Sequence, residues 1–417
     1  MINKFTPHII LLLFLASFAS AQDIACDVQY PTNPEIIERI QAIENQTQEW
    51  ILEQQNTATT REIITIPVVV HVVWFDESEK FSELEIQAQI DGLTADFRKM
   101  NENRFSIPDE FQPLAADIEV EFCLASVSPD AEETNGIVYK KTNITNIGSP
   151  SQINGIRQIH YSQYGGSDAW DPEKYINIWV GQLENLSGIA TLPGTAPSME
   201  EDGIIIDPLS FRFFCSDTLN TTHGRTLTHE MGHFLNLFHI YGSNNSSGNC
   251  DSDDFVNDTP KQDMKTQGCP THPIESCGSA NMFMNFMDNS NDACLSMFTE
   301  GQKMRMLATL APNGPRGTLR NSDRCGLFND KKRSLNPDNI LIYPNPAQEC
   351  IHIDLDLDSD TEIRMEIFNS IGQPVYSSRI FAKDLRTFDV SRFSNGVYFI
   401  YFETNSNGAS QKLVIER

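Results

Sequence analysis

The segment Thr228-His-Glu-Met-Gly-His-Phe-Leu-Asn-Leu-Phe-His239 constrains this chain more than any other part of it. On a helix, His229 and His233 stand one turn apart on one face. Their imidazoles can then take adjacent corners of a tetrahedron around a zinc ion, with Glu230 carried beside them. A bare His-Glu-x-x-His arises by chance in about one chain in a hundred of this length, so the continuation decides. Asn236 falls where the chain must reverse, and asparagine is the most tolerant residue after glycine for left-handed backbone. His239 then returns as a third imidazole. Three neutral histidines leave one zinc position for water, whose pKa the metal brings toward neutrality, and Glu230 is placed to take its proton. The competing reading is an amphipathic helix with core histidines.

Around this segment, 417 residues allow two or three domains, each with its own core. The net charge of -27 excludes a nucleic-acid partner in the absence of a basic patch, and none is visible. Residues 1–21 have the order of a secretory signal, with an apolar run from Ile9 to Phe18 and the small residues Ala19-Ser20-Ala21. The run is too short for a membrane span, and no later stretch approaches one. The expected product is therefore soluble and outside the cytoplasm, where disulfides persist. Of nine cysteines, Cys250, Cys269, Cys277 and Cys294 crowd into one segment. Two bridges stapling a loop, or a four-thiolate zinc site, both account for them, although the spacing lacks any Cys-x-x-Cys pair.

Residues 22–60 are polar, with a weak helical pattern from Pro34 to Gln55, and read as a pro-segment. From Arg61 the texture changes. Ile63 to Trp74 is a β-branched, apolar run suited to a buried strand, and Ser82-Glu-Leu-Glu85 is a capping box ahead of Ile86, Ile90, Leu93 and Phe97 at helical spacing. Ile118 to Leu124, Tyr175 to Val180 and Ile204 to Ile206 read as further strands, so the fold class is α+β over 61–330. Residues 331–339 have linker chemistry. Beyond them Ile351 to Leu357, Ile363 to Phe368 and Val397 to Phe402 alternate as strands of a small β-sandwich over 340–417.

With the zinc motif, Asn285-Phe-Met-Asp288 and Cys294-Leu-Ser-Met-Phe-Thr-Glu-Gly-Gln302 make the chain resemble the pappalysin family of metzincin proteases from about Arg61 to Leu327. The resemblance implies a secreted zinc endopeptidase of two subdomains, with an active-site helix above a cleft and a Met-turn below it that places Met287 under the metal. It also implies the pairs Cys250–Cys277 and Cys269–Cys294. Two positions depart from the family pattern: Asn236 replaces the usual glycine, and Asn289 replaces a tyrosine credited with stabilising the transition state. Losing such a donor can cost about 3 kcal/mol of barrier. A surface-binding protein on a decayed scaffold is therefore the rival function, against which the intact His229, Glu230, His233 and His239 weigh.

The same resemblance implies calcium in the acidic loop Asp251 to Thr259, with Asp254, Asp258 and Thr259 as ligands, and hard oxygen donors suit that ion. It implies that Asp292 lies at the floor of the pocket for the side chain after the scissile bond, favouring arginine or lysine there. Thr60-Arg61 at the domain junction is consistent with self-cleavage. Cys26 offers a thiolate to silence the zymogen, or is a lone thiol. Gly188 to Ala190 forms the upper rim of the cleft, where an extended substrate adds as a strand, or an ordinary strand. The last 80 or so residues resemble the sorting domain of the type IX secretion system of Bacteroidetes. The motifs are Tyr343-Pro-Asn-Pro346, Ile371-Gly372, Asn395-Gly396-Val397-Tyr398 and Lys412 to Glu416. The implied partners are protein or peptide substrates and that secretion machinery, with the product released or held at the cell surface.

Overall fold

The computed structural model describes residues 33–54, 62–151, 155–211, 224–242 and 250–326. Toward the C-terminus it describes 335, 337, 340–343, 345–348, 350–355, 357, 361–382, 387–404 and 407–417. The expected signal segment, Cys26, the Thr60-Arg61 junction, Cys215 and most of the linker lie outside the described residues.

The apolar run beginning near residue 63 is strand β1 (Ile64–Trp74), buried at every position but Thr65. Such continuous burial is what a parallel sheet covered on both faces demands. Along one edge β1 pairs in parallel with β2 (Val120–Leu124) and then β3 (Ile137–Lys141), and along the other with β4 (Ile176–Val180). Strand β6 (Ile204–Ile206) lies parallel to β4, and β5 (Gly188–Ala190) closes the sheet as an antiparallel edge. The strand expected from Ile118 begins two residues later. Glu119 takes φ +64°, its N–H held by the Asp117 carboxylate at 2.9 Å, which ends the extended run before Val120. Helix α2 (Glu83–Phe97) starts at the Ser82 capping box and lays Ile86, Ile90, Leu93 and Phe97 on the sheet. The disulfide Cys123–Cys325 ties β2 to the far end of this core.

His71 sits inside β1, fully buried, between the Ser167 hydroxyl (2.8 Å) and Asn177 Oδ1 (3.1 Å) and stacked on Trp179. His160 meets the same indole edge-on. Burial lowers His71 to about 4, despite the Asn177 bond, and burial with Arg157 nearby lowers His160 to about 3. Both folded values lie below the ordinary 6.5, so the unfolded chain takes up protons first as pH falls. The stability is intact above 6.5 and is lost toward 4, by about 2 kcal/mol per histidine at pH 5. Urea midpoints are expected to drop between pH 8 and pH 5; a constant midpoint contradicts this.

The weak pattern at Pro34 becomes a full helix, α1 (Pro34–Gln54), because it docks rather than because its sequence favours it. It packs on α5 (Glu300–Thr309), where the Glu44 carboxylate receives two hydrogen bonds, of 2.9 and 2.8 Å, from the buried Arg305 guanidinium. Short α3 (Pro208–Phe211) precedes α4 (Arg225–Phe234), the helix of the histidine motif. Between α4 and α5, a long loop holds the two-residue strands β7 (Glu275–Ser276) and β8 (Ser279–Ala280), stapled by Cys250–Cys277 and Cys269–Cys294. Those four cysteines form bridges and leave no thiolate for a metal.

The C-terminal part builds two antiparallel sheets around a core of its own. One orders β13 (Thr387–Asp389), β10 (Cys350–Leu355) and β9 (Ile340–Tyr343). The other orders β12 (Pro374–Phe381), β11 (Glu362–Asn369), β14 (Gly396–Glu403) and β15 (Gly408–Ile415). Ile351, Ile353, Met365, Ile367, Ile400 and Phe402 fill the space between them, as alternation along the strands requires. The turn at Ile371-Gly372 is built by Asn369, whose side chain accepts the N–H groups of Ile371 and Gln373.

Candidate metal centre

Helix α4 is buried along its whole length and anchored at both ends. At its start, the Arg225 N–H donates to the Asp292 carboxylate at 2.9 Å, while the Arg225 guanidinium pairs with Asp96 at 3.3 Å and donates to the carbonyls of Asp292 and Leu295. Thr228 donates to the same Asp96 carboxylate at 2.7 Å. At its end Asn236 adopts φ +73°, and the N–H groups of Asn236 and Leu237 return to the carbonyls of His233 and Gly232, both at 2.9 Å. Asparagine thus performs the reversal that brings His239 back over the helix.

The reversal gathers three rings. The Nε2 atoms of His229, His233 and His239 lie 3.1 to 3.2 Å from one another, and all three residues are buried. His229 donates Nδ1–H to the carbonyl of Phe286 at 2.7 Å, and His233 donates to that of Leu237 at 2.8 Å. With those protons committed, the two Nε2 lone pairs face each other and cannot hydrogen-bond. Burial lowers His229 to about 4. Burial, reinforced by the neighbouring imidazoles, takes His233 and His239 well below the ordinary value. A cluster of converging neutral acceptors fits a bound cation. Zinc–nitrogen bonds of about 2.0–2.1 Å at tetrahedral angles put ligand nitrogens about 3.3 Å apart, close to the spacing found here.

Glu230, also fully buried, lies directly under edge strand β5. A Cβ at Gly188 would come within 2.7 Å of the Glu230 Cγ, so only glycine lets the strand pass this close. Met287 packs against Gly232, the residue before His233, where any Cβ would collide with its sulfur. Its segment is fixed by Asn285, which accepts the Met287 N–H at 2.9 Å, and by Asp288, which accepts those of Thr266 and Asn289.

Asp292 accepts the N–H of Arg225, the first residue of α4 and one turn before His229. Asp254 and Thr259 share hydrogen bonds of 2.8 and 2.9 Å, beside a cavity of about 160 Å³. Asp258 is turned elsewhere: its carboxylate takes the Thr299 hydroxyl at 2.7 Å and the Gly301 N–H at 2.8 Å, capping α5. The sequence reading placed Gly188 in the rim of the cleft but did not find Asp96, Arg225 or Tyr241. The hydrogen bonds of these three, to Thr228, Asp292 and Asn289, each span 48 residues or more.

Residues 161–311 match the family described as pregnancy-associated plasma protein-A, and residues 341–416 match the secretion system C-terminal sorting domain. An extracellular metalloprotease of Arthroderma benhamiae is 33% identical over 240 residues, spanning 46% of this chain and 86% of the fungal protein. One from Arthroderma otae is 45% identical over 253 residues, 58% of this chain and 76% of its own. Among solved structures, a promirolysin mutant of Tannerella forsythia is similar at TM-score 0.63 and 32% identity, covering 71% of this chain and 97% of that one. Mature mirolysin of the same organism, in complex with a cleaved peptide, gives 0.57 and 35%, covering 64% and 97%.

Proposed function

Because this chain belongs to the pappalysin family and is a secreted or cell-surface metalloendopeptidase with a type IX sorting domain, we propose that its metal is zinc, held by His229, His233 and His239, and that Glu230 is the general base. The observation that carries this is the convergence of three buried Nε2 atoms, two of which have their Nδ1 protons committed to carbonyls. Zinc supplies Lewis acidity that polarises a peptide carbonyl and acidifies an attacking water. Glu230 takes the water's proton and passes it to the departing amine. Gly188 to Ala190 aligns an extended substrate along the sheet edge, directly over that carboxylate. Metal analysis of the purified chain tests the reading: one zinc per chain is expected, and a value far below that contradicts it.

Asp292 is proposed as the acidic floor of the pocket beyond the scissile bond, selecting arginine or lysine. Residues 22–60 are proposed as a pro-segment. In support, the promirolysin match covers more of this chain (71%) than the mature mirolysin match (64%), and α1 packs against the catalytic core. Cys26 would supply the silencing thiolate.

Calcium is proposed at Asp254 and Thr259. Burial pushes the Asp254 carboxyl up to about 7, and a hard cation would keep it ionised. Asp258 would join only by leaving the cap of α5. A calcium-selective chelator is expected to lower the melting temperature; an unchanged melt rejects the site.

A further inference from the structure

The three histidines are not held alike. His229 and His233 each give Nδ1–H to a carbonyl, whereas among the described residues His239 has no such partner. Its ring is instead stacked on the phenol of Tyr241, with centroids 4.7 Å apart and planes 14° from parallel. The Tyr241 hydroxyl donates to Asn289 Oδ1 at 2.6 Å. Asn289 belongs to the segment that carries Met287, and its own N–H is held by Asp288 at 2.7 Å. Tyr241 and Asn289 are both 3% exposed, so water competes little for either group.

Stacking alone fixes the plane of a ring but lets the phenol slide and rotate. A buried hydrogen bond at the far end of the phenol removes that freedom. Beside it, the Ile240 N–H donates to the Met287 carbonyl at 3.3 Å, so the loop after His239 is tied to the Met287 segment at both backbone and side chain.

We propose that Tyr241 and Asn289 form one positioning unit for His239, the stacked phenol setting the plane of the third ligand and the carboxamide setting the phenol. The inference rests on the reading of His239 as a zinc ligand. It assigns to Tyr241 the orienting task that a carbonyl performs for the other two histidines, and it gives Asn289 a role as an acceptor within the site's scaffold.

The test compares wild type, Tyr241→Phe, Tyr241→Leu, Asn289→Ala and the double variant Tyr241→Phe/Asn289→Ala. Zinc affinity is read by competition with a chromophoric chelator, and kcat and KM are read on one peptide. Tyr241→Leu, which removes ring and hydroxyl, is expected to weaken zinc binding about 10–100-fold. Tyr241→Phe and Asn289→Ala each break the hydrogen bond between the two residues, so each is expected to lower kcat about tenfold at unchanged KM, with the double variant no worse than either single.

Zinc affinity in Tyr241→Leu within about threefold of wild type overturns the inference, as does an additive double variant. If Tyr241→Leu shows no cooperative melt, the Phe and Ala variants decide the question by the same criterion. A wild type that neither binds zinc nor cleaves overturns the reading of the whole site. A wild type that does both, with unaffected variants, overturns this inference alone.

Discussion

Replacing His239 with alanine is expected to cost zinc affinity well beyond the roughly 10–100-fold that loss of an outer partner brings, and to abolish peptide cleavage. The Nε2 of His239 lies 3.2 Å from each of the other two, and among the described residues the metal-ligating group here consists of these three histidines. An arrangement drawing its third ligand from a downstream glutamate would keep zinc in this variant. Among the described residues, the metal-ligating groups gathered around the helix pair include no such carboxylate. Zinc content measured alongside a melting curve separates the two: a folded variant that retains full zinc rejects His239 as a ligand.

Asp292→Asn is expected to lower cleavage before arginine and lysine by about 30-fold or more, equivalent to about 2 kcal/mol for losing the charge of a buried ion pair. The substitution keeps an oxygen for the Arg225 N–H, so the start of α4 stays capped. The Arg225 guanidinium pairs with Asp96 at 3.3 Å, so that ion pair is kept in the variant. Comparing kcat/KM on peptides that differ only in the residue after the scissile bond checks this. An equal loss on basic and apolar residues would mean that Asp292 acts only as a cap.

Much of the site was legible because its chemistry is local in sequence. Three histidines and a glutamate within eleven residues, and the Ser82 capping box ahead of a helical stripe, need only helix geometry to be read. The left-handed turn at Asn236 follows from the need to reverse the chain before His239. What escaped reading depends on partners far away in sequence. The Cys123–Cys325 bridge spans 202 residues, and the Glu44–Arg305 contact that turns a weak pattern into α1 spans 261. Asp258 was expected among calcium ligands from the resemblance and the acidic loop; its carboxylate here takes the Thr299 hydroxyl and the Gly301 N–H at the first turn of α5, where N–H groups require an acceptor. Likewise the absence of a tyrosine at 289 gave no sign that Tyr241 would reach the same segment from the other side of the site.

Docking of α1 also bears on activation. Arg305 is 1% exposed, and its guanidinium donates both to Glu44 and to the carbonyl of Asn236, the residue that turns the chain toward His239. The proposed pro-segment therefore supports the turn before the third ligand from behind, in addition to any contact with the metal.

The most direct measurement is cleavage of a peptide library by the purified chain freed of residues 22–60, with and without a zinc chelator, beside a Glu230→Ala control. Cutting before arginine or lysine that the chelator stops, and that the control lacks while still binding zinc, is the predicted result. Zinc bound at full stoichiometry by the wild type with no cleavage of any peptide would contradict the account, and would make the chain a binding protein on a protease scaffold.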